Sequence, residues 1–122
     1  MQLFINNWST SLTAAATADA VSLSVPSVEA AKLIGLGSGD YYLLTLFEVD
    51  SLTGEELRRE IVRATAVSGG NITVARDQEG SGAQVWDAGQ LIEARLTKET
   101  METLRDAAGG APLSDTTPAA LG

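Results

Sequence analysis

The 122-residue chain contains no cysteine and no histidine. No disulfide can staple its fold, and structural zinc, haem ligation, thiol catalysis and histidine-based acid–base chemistry are excluded together. Basic residues are scarce, eight against sixteen acidic ones, for a formal charge of −8. That sign opposes any grip on nucleic-acid phosphates. Its ordinary consequences are solubility and repulsion between free subunits. Long apolar runs are missing as well, since none reaches the roughly 20 residues of a membrane helix. The N-terminus lacks a basic stretch leading into an apolar run, so the expectation is synthesis and use without secretory export. The acceptor-like patterns at Asn7 and Asn71 therefore carry no weight as glycosylation sites. No nucleic-acid partner, no membrane and no cofactor are expected.

What the chain does have is alternation. Its length fits one domain with a core large enough to stand alone. Residues 3 to 12 alternate as an opening strand, with Phe4, Asn6 and Trp8 on one face. Residues 13 to 18 carry little bulk and read as a loop. Val21, Leu23 and Val25 repeat with period two until Pro26, after which Ser27 is placed to cap a short helical turn holding Val28, Ala31, Leu33 and Ile34. The Gly35-Leu36-Gly37-Ser38-Gly39 loop has no lysine and leads into a strand. A phosphate cradle would instead open a helix. Residues 41 to 47 follow, the most apolar stretch, with Tyr41, Leu43, Thr45 and Phe47 on one face and Tyr42, Leu44 and Leu46 on the other. Such a strand is expected to be covered on both sides, by a helix or by another subunit. Residues 50 to 56 read as a solvated acidic loop rather than a calcium site. A tight hairpin then joins residues 61 to 67 and 72 to 76 through Gly69-Gly70. Thr97 is placed to cap a helix from Lys98 to Ala108 that Gly109-Gly110 stops. The predicted organisation is a β-rich domain over 1–97, a C-terminal helix over 98–110 packed on the domain or on a neighbouring subunit, and a tail over 111–122 that is flexible or ordered by a partner.

Between the hairpin and that helix lies a spaced constellation: Arg76-Asp77-Gln78-Glu79-Gly80, then Trp86-Asp87-Ala88-Gly89, then Ile92-Glu93-Ala94-Arg95-Leu96-Thr97. It reads as strand, charged turn, aromatic plug, tight turn and strand. Arg76 and Arg95 have carboxylate neighbours in Glu79 and Glu93, and pairing with them is expected. Over roughly residues 58 to 97 the pattern resembles a small β-rich module of tailed-bacteriophage tail, baseplate and fibre-associated proteins. The usual form there is close to Arg-Gly-Gln-Glu-Gly-Thr, Trp-x-x-Gly and Glu-Ala-Arg-Leu-Thr, and Phe4-Ile5-Asn6-Asn7-Trp8 is a looser echo. Asp77 stands where glycine is usual and Ser81 where threonine is usual.

Residue chemistry and resemblance lead to the same expectations. The carboxylates at Asp40, Glu48, Asp50, Glu55, Glu56, Asp77, Glu79 and Asp87 fall at turns and strand ends. Neither Lys32 nor Lys98 lies in a serine–lysine motif, so no enzyme is expected. The expected fold is mainly β, a small antiparallel sandwich or partly closed barrel with one C-terminal helix. The resemblance implies a non-enzymatic virion protein, made in the host cytoplasm and built into the tail tip, baseplate or fibre-attachment region. Its implied partners are copies of itself, in a trimer or other ring, and other tail proteins. Candidate contact residues are Tyr41, Leu43 and Phe47 on the apolar strand, Met101 and Leu104 on the helix, and Pro112 and Leu113 in the tail. Arg76, Gln78, Glu79, Gly80, Trp86, Gly89 and Arg95 are expected to be structural. The alternatives are a receptor module that stacks a host glycan on Trp8, Tyr41, Tyr42 or Trp86, and a head decoration protein. For the four aromatics the simpler reading is that they are core.

Overall fold

The structure is a computed structural model that describes residues 1–95 and 98–107. In chain order it contains β1 (Gln2–Leu3), β2 (Ser9–Ser11), β3 (Ser22–Ser24), a one-turn helix α1 (Ser27–Ala30), β4 (Tyr41–Val49), β5 (Glu56–Ser68), β6 (Asn71–Gln78), β7 (Leu91–Glu93) and helix α2 (Lys98–Ala107).

The long apolar and β-branched runs make the centre. β4, β5 and β6 form an antiparallel meander, with β7 added on the far side of β4 and β3 on the far side of β6. β2 extends β7, and β1 pairs with β4 in the parallel sense. Register shifts at Glu48/Val49, Ile61/Arg63 and Ala64/Ala66 bend the long strands, as bulges do. The sheet curls into a half-barrel, the partly closed barrel expected from the sequence. Just past the end of β2, the Thr13 amide donates to the carbonyl of Ser24, the last residue of β3, at 2.8 Å. The α1 segment covers part of the interior: Ala30 and Leu33 are buried, Trp8 Nε1 donates to the Glu29 carbonyl at 2.9 Å, and the Tyr42 hydroxyl donates to the Ile34 carbonyl at 2.6 Å.

Alternation decides what fills the interior. Tyr42, Leu44 and Leu46 of β4 face Ala64, Val62 and Glu60 of β5, joined by Leu23, Ile72, Val74, Trp86 and Ile92. The opposite face of β4 is covered in part. Thr45 and Phe47 are buried, whereas Tyr41 and Leu43 are half-buried. Thr100 in the first turn of α2 is buried and accepts a hydrogen bond from Gln2 Nε2 at 2.8 Å, so α2 begins beside the β1–β4 pair.

Several expectations need correction. Asn7, at φ +55°, breaks the opening strand in two, so Phe4 is exposed while Trp8 is buried; they do not share a face. Within the supposed loop, Ala16 exchanges main-chain hydrogen bonds with Trp86. Pro26, not Ser27, occupies the N-cap, and no side chain caps α1. That helix ends after four residues, and Val28 and Ile34 stay exposed. β5 starts five residues earlier than expected, at Glu56, and β7 ends at Glu93 with the Ala94 amide donating to the Trp8 carbonyl. The Gly69-Gly70 turn is placed as expected, for two reasons. Gly69 has φ +60°, and a Cβ on Gly70 would lie 2.5 Å from the Val25 carbonyl. The proposed Thr97 cap, the Gly109-Gly110 stop and the tail with Pro112 and Leu113 lie outside the described residues.

Candidate interaction surface

Two arrangements draw on the residues singled out in the sequence, one inside the half-barrel and one on its outer face. The inner one is built on Glu60. Its register opposite Leu46 aims the side chain into the core, where it is 0% exposed. A lone buried carboxylate would be very costly, so its oxygens require donors. Oε2 accepts from Arg76 Nε at 2.7 Å and from the Asp77 amide at 3.2 Å. Oε1 accepts from Arg76 Nη2 at 2.8 Å, Trp86 Nε1 at 2.9 Å and the Gln84 amide at 3.0 Å. Arg76 is equally saturated: Nη1 donates to the Thr17 and Ala20 carbonyls and Nη2 also to the Gln84 carbonyl. All five guanidinium N–H groups are thereby used. Burial pushes the Glu60 carboxyl up, but the donors from Arg76, Trp86, Gln84 and Asp77 outweigh it and hold the group below its ordinary value.

The charged turn serves this pair. Asp77 and Glu79 adopt left-handed backbone, at φ +55° and +56°, a region that glycine enters without strain. Asp77 Oδ1 accepts from the Gly82 amide at 2.6 Å. The Ser81 hydroxyl donates to the Gln78 carbonyl and accepts from the Ile61 amide, a role that threonine could also fill. Gln78 Nε2 donates back to the Arg76 carbonyl. Trp86 is sealed from the other side by Arg58, whose guanidinium lies 4.1 Å from the ring centre and pairs with Glu48. Gly89 turns the chain into β7 and donates to the Leu12 carbonyl. Arg76 thus meets Glu60 rather than the expected Glu79, because its side chain is 7% exposed among core-facing groups and all its N–H groups are taken by Glu60 and main-chain carbonyls.

The outer face follows from the opposite parity. Tyr41, Leu43 and Phe47 line up there along β4, flanked by Arg63 of β5 and by Leu91 and Glu93 of β7. Arg63 lies 4.0 Å over the Tyr41 ring and Arg95 lies 4.2 Å over the Phe47 ring. Arg95 also pairs with Glu93, as expected, and with Glu56. Beside Phe47 a shallow depression of about 300 Å³ is lined by Ser9, Ser11, Leu91 and Glu93 among others. Met101 and Leu104 are 38% exposed on α2.

No protein-family model and no curated protein matches this chain.

Among the described residues no group of three or more acidic side chains is placed to hold a metal ion, and no helix is long and apolar enough to cross a membrane. Of the four aromatics weighed for glycan stacking, Trp8, Tyr42 and Trp86 are buried and Tyr41 is half-buried beneath Arg63. Sequence reading missed Glu60, which closes the charged run Arg58-Arg59-Glu60 and breaks the apolar alternation. A signal for it existed. Glu60 shares parity with Val62 and Ala64, as Arg76 does with Ile72 and Val74, so the hairpin carries one acid and one base on a common face.

Proposed function

We propose that the chain is a non-enzymatic structural protein of a tailed-phage virion, an adaptor in the tail tip, baseplate or fibre-attachment region that acts by protein–protein docking. The observation that carries this reading is the use made of the resembling motif. Arg76, Trp86 and their turn are spent on anchoring Glu60 inside the half-barrel, so the motif maintains a scaffold and leaves the outer surface for contacts. Copies of the chain, as a trimer or other ring, would meet through the β4 face and α2, where Tyr41, Leu43, Met101 and Leu104 retain exposed area. The chain would be made in the host cytoplasm and reside in the virion tail.

Glycan binding through Trp8, Tyr42 or Trp86 is disfavoured, because a sugar ring stacks only on an accessible aromatic face and these are sealed. The test is localisation. A tag on the chain, labelled in purified particles, is expected to decorate the tail in fixed stoichiometry. Label spread over the capsid shell would replace this reading with head decoration, and particles free of label would remove the virion assignment.

A further inference from the structure

β2 is an open edge. The Leu12 amide donates to the Gln90 carbonyl and the Ala94 amide to the Trp8 carbonyl. Positions 8, 10 and 12 therefore face β7, and antiparallel geometry turns the main-chain N–H and C=O of Ser9 and Ser11 the other way. Among the described residues no main-chain hydrogen bond meets Ser9 or Ser11 on that side; the nearest such bond is that of Thr13 to Ser24. The same two serines line the shallow depression whose apolar walls are Phe47 and Leu91. A free strand edge beside a side-chain depression is the arrangement that accepts an extended peptide, with the edge supplying affinity and the depression supplying choice.

We infer that this edge receives residues 113 to 117 of a second copy, added as a strand with Leu113 over Leu91 and Phe47. The 15 residues 108–122 follow the end of α2. Within that length Pro112 and Pro118 bracket Leu-Ser-Asp-Thr-Thr, five residues that all keep their N–H and can pair, while the prolines limit how far pairing extends. The segment carries one charge, Asp115. The carboxylate it would approach, Glu93, is already paired with Arg95. Each copy has one β2 edge and one tail, so contacts between them run head to tail and close into a ring when the rotation allows. The inference rests on the self-association proposed above and not on the virion location.

The test uses the full-length chain, with sedimentation across a concentration series and amide hydrogen exchange. Native protein is expected to associate, with the Ser9 and Ser11 amides becoming protected as concentration rises. The double variant S114P/D115P removes donors of both strand parities, and Ser11→Pro removes an edge donor that β7 does not use. Each is expected to weaken association by about tenfold or more, with melting unchanged for the tail variant. Mixing the two variants is expected to restore a 1:1 complex, because one keeps an intact tail and the other an intact edge. Association undiminished in S114P/D115P would overturn the tail's role and leave self-association standing. Protection of Ser9 and Ser11 that is independent of concentration would mean the tail folds back on its own edge, and it would overturn the exchange between copies. A native chain that stays monomeric throughout would overturn both.

Discussion

Glu60 and Arg76 form a charged pair in a place where charges are expensive. Its side chains are 0% and 7% exposed, and every oxygen and N–H is occupied. A pair of this kind contributes little relative to well-packed apolar residues, but breaking it strands a charge. Arg76→Met is therefore expected to destabilise the fold by about 3–5 kcal/mol, measured by chemical denaturation. An unchanged midpoint would mean that Glu60 finds other donors. Acid should act through the same carboxyl. Its pKa is lowered from 4.5 in the folded chain, so the unfolded chain takes up the proton first. The stabilisation is complete above the unfolded value and is lost as pH falls below it and through the folded one. In thermal melts from neutral pH down to about pH 3, native protein is expected to lose its advantage over Glu60→Gln across that window. A constant gap would show that Glu60 titrates alike in both states.

At the level of elements, the β5–β6 hairpin shows which features could be read from sequence. Two glycines between β-branched runs gave its turn, and the structure adds the reason for the second. Gly70→Ala would place a Cβ 2.5 Å from the Val25 carbonyl, a backbone atom, whereas at Gly69 a Cβ has open space and meets only the φ of +60°. Gly69→Ala is expected to cost about 1–2 kcal/mol, and Gly70→Ala more, because β3 must shift off the hairpin. Equal losses in the two melts would show that β3 adjusts freely. The long strands β4, β5 and β6 were legible because their period-two pattern persists over many residues. Of the short strands, β3 and β7 fall inside predicted strands, but β1 and β2, of two and three residues, read as one continuous strand because their separate places depend on partners distant in the chain. The break at Asn7 is a backbone event that side-chain hydrophobicity does not record. Of the site, the anchoring residues Arg76 and Trp86 were legible from their spacing. The carboxylate they serve was hidden because buried charge is what periodicity reads as surface.

For the whole molecule, the buried apolar cluster among the described residues runs from Trp8 to Ile92, with Ala94 packed against it and no member from α2. Deleting residues 111 to 122 is accordingly expected to leave the melting temperature within about 2–4 °C of native, while incorporation into particles falls. Equal incorporation would make the tail a passive end. A markedly lower melting temperature would make it part of the fold.

Arg76 also bears on the timing of folding. It bonds carbonyls 59 and 56 positions upstream and a carboxylate 16 positions away. Contacts that span so much chain form only after the sheet has curled, late on the route to the native state. Interactions absent from the folding barrier slow escape from the native state without speeding its formation. Loss of the Glu60–Arg76 pair is thus expected to steepen the decay of native protein in stopped-flow unfolding and to leave the refolding rate nearly unchanged. The buried pair then sets how long each folded copy lasts.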